Sequence, residues 1–108
     1  MPAMRLNLQL ATALLLACAA FTAKAQSAAA LNARSLAATC ASCHGTDGRS
    51  VEGAAIPSLA GMPKAYMSAQ MKAFKDGSRP ATVMHQLSKG FTDEQVETMA
   101  TYFAALKR

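Results

Sequence analysis

The most constraining feature of this 108-residue chain is the run Cys40-Ala41-Ser42-Cys43-His44. Two cysteines separated by two residues can each form a thioether bond with one haem, and the histidine that follows can then ligate the iron. A C-x-x-C pair alone also occurs in zinc sites and thiol–disulfide proteins, so the histidine makes the pattern specific. The run therefore predicts covalent attachment of one haem c through Cys40 and Cys43, with His44 as an axial ligand.

The first 25 residues have the composition of a signal peptide. Arg5 supplies a positive start, residues 6–21 are mostly Leu and Ala, and Ala23-Lys24-Ala25 is a small-residue cleavage site. The apolar core of this segment is too short to cross a bilayer comfortably. We therefore expect export to the periplasm, cleavage after Ala25 and no stable membrane insertion afterwards.

The cysteine count limits the kind of metal site. The run Leu15-Leu16-Ala17-Cys18 resembles a lipoprotein cleavage box, so lipidation of Cys18 is an alternative route of processing. Cleavage after Ala25 would leave only Cys40 and Cys43, which excludes zinc and iron–sulfur sites built from four cysteines. We expect one domain, residues 26–108, with one haem at most.

The basic charge balance is too small to indicate nucleic-acid binding. The full chain has 11 Lys and Arg against 6 Asp and Glu, and loss of Arg5 and Lys24 would reduce the net charge from +5 to +3. A local patch could still orient a protein partner, although some of its members could simply be solvated helix residues. Its members would be Lys64, Lys72, Lys75, Arg79 and Lys89.

The remaining sequence indicates helices joined by irregular segments, with no convincing strand. We expect a helix from Ala28 to about Thr39 and a second from near Pro63 to Gly77. In the last helix, Thr92 and Gln95 form a capping box. Lys107 and Arg108 are expected at its negative end, and its apolar stripe consists of Val96, Met99, Phe103 and Leu106.

This order of elements resembles class I cytochrome c. The resemblance implies an all-α fold in which three to four helices surround one covalent haem and the first and last helices cross. Tyr102 and Phe103 would supply the aromatic contact at that crossing. The first helix lacks the glycine that many members place there, so Asn32, Ala33 or Ala37 would have to allow the close approach.

The second axial ligand is predicted to be Met84, which lies 40 residues after His44 in the irregular stretch before the last helix. Thioether ligation favours ferrous iron and suits an electron carrier. The alternatives are His85, Met62 and an open iron site. By resemblance to the family, the carbonyl of Pro57 would accept the N–H of His44, and Leu59 would pack on the haem. Three other methionines fit helix packing better: Met67, Met71 and Met99.

A closer resemblance is to the haem subunit of flavocytochrome c sulfide dehydrogenase. Four stretches carry it: Cys40 to Val51, Ile56 to Ala60, Phe74 to Gly77 and Val83 to Gln95. It implies electron acceptance from a flavoprotein, FAD-containing subunit that oxidises sulfide. The best-known cytochrome subunits have two haem domains, whereas this chain has one C-x-x-C-H run, so a free periplasmic electron shuttle is the main alternative.

The sequence contains no pattern typical of substrate chemistry, such as a nucleophile elbow or a phosphate-binding glycine loop. We therefore expect an electron-transfer protein, which could be one subunit of an oxidoreductase. Two other functions are alternatives. An open iron site would make a gas sensor or a peroxidase, and Cys40 with Cys43 could form a haem-free thiol redox pair.

Overall fold

The structure, a computed structural model, describes residues 28–108. Residues 28–32 are helical and belong to an amino-terminal unit, Met1–Asn32, and Ala33–Arg108 form a second unit, to which the following description applies. The predicted signal peptide, its cleavage after Ala25 and the alternative site at Cys18 lie outside the described residues.

Within residues 28–108, the chain contains five α-helices and no strand. These are α1 (28–38), α2 (Ala41–His44), α3 (Lys64–Asp76), α4 (Met84–Leu87) and α5 (Asp93–Ala104), and short 3-10 turns at Thr46–Gly48 and Ser88–Gly90 follow α2 and α4. The predicted all-α class is confirmed. The helices α1, α3 and α5 are longer than one turn. The single-turn helices α2 and α4 raise the total to five, which is more than the three to four helices expected.

The ends of α3 follow the sequence signals. Pro63 is the N-cap residue, and the helix ends at Gly77, which has the left-handed conformation with φ 84°. Glycine tolerates this conformation because it has no Cβ. Met67 and Met71 lie one turn apart on the buried face of α3. Their predicted role in core packing, rather than iron ligation, agrees with this burial.

The capping box of α5 is present as predicted. The N–H of Gln95 donates to Thr92 Oγ1 at 3.2 Å, and the N–H of Thr92 donates to Gln95 Oε1 at 2.9 Å. These two bonds satisfy backbone donors that have no partner within the helix.

The carboxyl end of α5 differs from the prediction. The helix ends at Ala104, so Lys107 and Arg108, which were predicted at its negative end, lie beyond its last turn. The physical reason is a competing bond, because the carbonyl of Phe103 accepts the N–H of Gly61 at 2.8 Å. The same carbonyl also accepts the N–H of Leu106 at 3.2 Å, an i to i+3 bond of the kind that closes a helix early.

The core is centred on α5. Met99, Ala100 and Phe103 are fully buried, and burial of a side chain as large as Phe103 contributes about 3 kcal/mol. Ala37 of α1 belongs to the same core and is buried, unlike Ala33, which is only half-buried. Of the small residues proposed for a close approach of α1, Ala37 is therefore the one in the core. The remaining core residues are Leu59, Met67, Met71 and Val96.

Tyr102 and Phe103 have different surroundings although their rings are in contact. The ring centroids lie 5.4 Å apart at an interplanar angle of 82°, an edge-to-face arrangement. Phe103 points into the core, whereas Tyr102 lines a cavity of about 150 Å³ with residues of α1 and of the turn after α2. The wall of this cavity consists of Arg34, Ala37, Ala38, Ala41, Thr46, Asp47 and Tyr102.

Ion pairs join α3 to α5. Lys64 Nζ lies 3.0 Å from Glu97 Oε2, and Lys75 Nζ lies 3.4 Å from Asp93 Oδ1. Lys75 also donates to the carbonyl of Phe91 at 2.8 Å. Two members of the predicted basic patch, Lys64 and Lys75, thus have acidic partners on α5. The patch is therefore not uniformly positive.

Over residues 28–108, no helix has both the length and the apolar character required to span a membrane.

Candidate haem site

The Cys-x-x-Cys-His run forms the single turn of α2. Cys40 is its N-cap residue, and its carbonyl accepts the N–H groups of Cys43 at 3.3 Å and of His44 at 2.9 Å. Residues three and four apart lie on the same side of a helical turn. The turn therefore presents both thiols and the imidazole on one side, as attachment to one haem requires.

Both cysteines are free thiols. Cys43 is exposed, and Cys40 is half-buried. Burial raises the pKa of the Cys40 thiol above its ordinary value, and hydrogen bonding with Thr39 opposes this only in part. A reactive cysteine of a thiol–disulfide protein has a lowered pKa instead. The half-buried thiol of Cys40 thus lacks the lowered pKa of such a cysteine.

His44 is held in a defined orientation. Its side chain is buried, with 9% of its surface exposed, and Nδ1 lies 2.7 Å from the carbonyl oxygen of Pro57. A carbonyl oxygen can only accept a hydrogen bond, so Nδ1 is the donor. The structure thus brings His44 and Pro57 together and leaves Nε2 as the ring nitrogen available to a metal.

Gly48 anchors the segment that contains Pro57. Its carbonyl accepts Ser58 Oγ at 2.7 Å, the N–H of Leu59 at 2.7 Å and the N–H of Ala60 at 3.1 Å. Gly48 is buried with φ 70°, and a Cβ there would lie 2.7 Å from a ring carbon of Phe103. This role of Gly48 was not predicted from the sequence, because its only signal there was a glycine within an irregular loop.

Leu59 lies in the core, with 7% of its surface exposed. A Cβ added to Gly48 would lie 2.9 Å from the Cβ of Leu59, so the backbones of Gly48 and Leu59 are close together. Leu59 therefore couples the Pro57 segment to the core around α5.

Met84 is the first residue of α4, where the sequence predicted an irregular stretch. The N–H groups of Gln86 and Leu87 donate to the carbonyl of Val83 at 2.9 and 3.2 Å, which closes the single turn. Met84 is half-buried and packs against the core. The turn thus holds the predicted second ligand on a regular element.

The two alternative ligands also lie in the described region. Met62 is half-buried and packs against the core, directly before α3. The Nδ1 atom of His85 is buried and has no hydrogen-bond partner within residues 28–108. His85 therefore has a ring nitrogen without a protein partner next to Met84.

Large apolar side chains are exposed on both segments that carry the candidate ligands. Val51 and Ile56, in the loop after α2, are 80% and 41% exposed, and Val83 and Leu87, around α4, are 53% and 48% exposed. These four apolar side chains are available for contact with another apolar group. These residues, the paired thiols and the oriented imidazole fit a covalently attached haem. Within the same residues, no group of three or more His, Cys, Asp or Glu could hold a metal ion by itself.

Comparison with known proteins identifies the family. The sequence model described as Cytochrome c matches residues 29–107. The chain is 42% identical over 73 residues to the cytochrome subunit of sulfide dehydrogenase from Chlorobaculum tepidum, an alignment that covers 68% of this chain and 64% of that protein. It is 41% identical over 71 residues to a thiosulfate dehydrogenase electron acceptor from Thiomonas intermedia, covering 66% of this chain and 33% of that protein.

A third relative is covered over most of its length. Cytochrome c-554(548) of Halomonas halodenitrificans is 34% identical over 70 residues, which cover 62% of this chain and 83% of that protein. The chain thus spans less than two thirds of the length of the first two relatives but most of the third. With the attachment motif in one helical turn, an all-α fold and a family match over most of its length, the chain belongs to the cytochrome c family, whose cofactor is covalently bound haem c.

Proposed function

We propose that this chain transfers single electrons between proteins through one haem c. Cys40 and Cys43 would form the thioether bonds, and His44 and Met84 would be the axial ligands of the iron. The observation that carries the proposal is the placement of His44, which is buried, bonded through Nδ1 to Pro57, and part of the same helical turn as both cysteines.

The bound haem supplies one-electron exchange between ferric and ferrous iron. The polypeptide would control that exchange through the two axial positions. The carbonyl of Pro57 keeps the proton on Nδ1 of His44, which fixes the ring orientation and increases its basicity. The thioether of Met84 would favour ferrous iron. Leu59, which is buried, would pack on the haem.

The favoured electron donor is a flavoprotein sulfide dehydrogenase that contains FAD. Support comes from the relative named as the cytochrome subunit of sulfide dehydrogenase and from the four sequence stretches that resemble this family. In such a complex, sulfide oxidation would occur on the flavoprotein, and this chain would accept the electrons. A free electron shuttle is the second candidate, favoured by the match to cytochrome c-554(548), 83% of whose length the alignment covers.

The site of action would be the periplasm. We propose that residues 1–25 are removed as a signal peptide and that the cytochrome c domain spans residues 26–108. The A-x-A sequence that ends at Ala25 supports this assignment. Mass spectrometry of the exported protein should find Gln26 at the amino terminus, whereas a lipid on Cys18 would contradict it.

The first experiment tests electron transfer itself. The full chain is exported from a host with haem-attachment machinery, together with a Cys40→Ser, Cys43→Ser double variant. The wild-type product should gain the mass of one haem and show a reversible one-electron couple in voltammetry, and the double variant should show neither. Carbon monoxide binding by the ferrous wild-type protein would instead indicate an open iron site and contradict the proposal.

The second experiment tests the partner. The haem-loaded chain is mixed with a sulfide dehydrogenase flavoprotein, and haem reduction is followed by stopped-flow absorbance after addition of sulfide. Rapid reduction and co-elution in gel filtration would support a bound subunit. Rapid reduction without co-elution would favour the free shuttle, and no reduction would contradict this donor.

A further inference from the structure

The carbonyl that accepts the hydrogen bond of His44 belongs to a peptide group that makes few hydrogen bonds itself. This is the peptide between Pro57 and Ser58, whose oxygen lies 2.7 Å from His44 Nδ1. Its N–H, on Ser58, donates to no group among residues 28–108. Residues 51–58 are all exposed and contain no helix. The direction of this carbonyl must therefore be set by the residues on either side.

Both sides restrain this peptide. The ring of Pro57 fixes its φ near −65°, as in every proline. On the other side, Ser58 Oγ donates to the carbonyl of Gly48 at 2.7 Å, through a half-buried bond. This bond restrains the backbone of Ser58 and therefore the orientation of the peptide group that precedes it.

The anchor at Gly48 is rigid. Its Cα is so close to Phe103 and Leu59 that an added Cβ would lie within 2.7 and 2.9 Å of their atoms. Its carbonyl also accepts the N–H groups of Leu59 and Ala60. If the Ser58 hydroxyl were removed, this carbonyl would keep two donors, which match its two lone pairs. Loss of the hydroxyl would therefore loosen the Pro57 peptide, although Leu59 would still be bonded to Gly48, and the Gly48 carbonyl would not be left unpaired.

We propose that Ser58 is a positioning residue that aligns the Pro57 carbonyl with His44 and thereby helps to set the reduction potential of the haem. The inference rests on the proposed function, with His44 as an iron ligand. A hydrogen bond at Nδ1 makes the imidazole a stronger donor, which stabilises ferric iron. A looser bond weakens that donation, so ferrous iron becomes more favourable and the potential rises.

The test compares three haem-loaded variants with the wild-type protein. Ser58→Ala removes the hydroxyl, and Ser58→Thr keeps it. Ser78→Ala is the matched control, because Ser78 Oγ also contacts a backbone carbonyl, that of Ala73 at 3.5 Å, in the connector after α3. The readouts are a spectroelectrochemical titration and the NMR exchange rate of the His44 Nδ1 proton.

In Ser58→Ala, the ratio of reduced to oxidised haem at a fixed solution potential should rise by about threefold or more. The Nδ1 proton should exchange faster, and the methionine-ligated spectrum should stay unchanged. Ser58→Thr and Ser78→Ala should behave as the wild-type protein does.

Two results would overturn the role of Ser58. The first is a Ser58→Ala protein whose potential and Nδ1 exchange match those of the wild type. The second is a Ser58→Ala protein that no longer folds or loads haem while Ser78→Ala does, which would make Ser58 structural. Failure of the proposed function looks different, because the wild-type protein itself would then lack a reversible couple.

Discussion

The hydroxyl of Tyr102 donates a hydrogen bond to Asp47 Oδ1 at 3.0 Å, and this bond ties α5 to the 3-10 turn directly after the haem motif. Asp47 has a positive φ of 52°, which is uncommon for a residue with a side chain. Arg49 Nη1 lies 3.9 Å from the other oxygen of the same carboxylate. The last helix and the haem-attachment segment are thus joined through one side-chain pair.

Substitution of Tyr102 by phenylalanine should destabilise the protein by about 1–2 kcal/mol, because the ring is kept and the bond to a charged acceptor is lost. Chemical denaturation of the haem-loaded protein measures this difference. Tyr66→Phe is the control, because the Tyr66 side chain is 51% exposed and lies on α3. Equal effects of the two variants would show that the Asp47 bond contributes nothing.

The same bond predicts a dependence on pH. Burial, followed by the hydrogen bond and the charge of Asp47, raises the pKa of the Tyr102 phenol above its ordinary value. The stabilisation is complete below the unfolded-state pKa of about 10 and is lost as the pH rises through the higher folded-state pKa. The wild-type advantage over Tyr102→Phe should therefore shrink above pH ~10. A constant difference in unfolding free energy from neutral to alkaline pH would contradict this.

Gly48→Ala should destabilise the fold by about 2–5 kcal/mol, because the added Cβ meets Phe103 and Leu59 and the residue keeps a positive φ. Gly53→Ala is the matched control, since Gly53 has φ 78° but an added Cβ would meet nothing within 4 Å. It should cost only about 1–2 kcal/mol. Thermal unfolding of both variants provides the measurement, and similar losses would argue against a close approach at Gly48.

Thr92→Ala should lower the free energy of unfolding by about 1 kcal/mol, since it removes the N-cap acceptor of α5. Thr101 offers a control within the same helix, where its hydroxyl bonds the carbonyl of Glu97 at 2.8 Å. Thr101→Ala should change stability by less than about 0.5 kcal/mol. Denaturant titrations can separate the two values, and a smaller effect at Thr92 would count against the capping box.

Met84→Ala should lower the reduction potential by roughly 100 mV or more and admit exogenous ligands, because axial ligands set haem potentials over a wide range. Haem should remain attached, since the thioether bonds do not involve this residue. Met62→Ala and His85→Ala serve as comparisons and should retain the sulfur-ligated spectrum. Redox titration with absorption spectroscopy would assign the ligand to whichever variant loses that spectrum.

Sequence patterns were sufficient for the long helices. The bounds of α3 depend on Pro63 and Gly77, and the start of α5 on Thr92 and Gln95, all of which act within one turn. Such local interactions leave clear signals in a single sequence. The attachment motif is local for the same reason, because one turn of helix contains all of it.

The unpredicted features depend on contacts between distant residues. The single turn of α4 has no side-chain cap and is too short for a periodic pattern. The early end of α5 results from the bond between Phe103 and Gly61, which are 42 positions apart. The role of Gly48 as an anchor depends likewise on packing against Phe103. A residue pattern along the chain carries no direct signal for any of these contacts.

The ion pairs between α3 and α5 change how this protein would attract a partner. Lys64 and Lys75 are balanced by carboxylates within 4 Å, so their fields largely cancel at a distance. The other members of the predicted patch, Lys72, Arg79 and Lys89, form no ion pair within residues 28–108. Diffusional steering of an acidic protein would therefore depend more on these three cations, over a range of about 8 Å at physiological ionic strength.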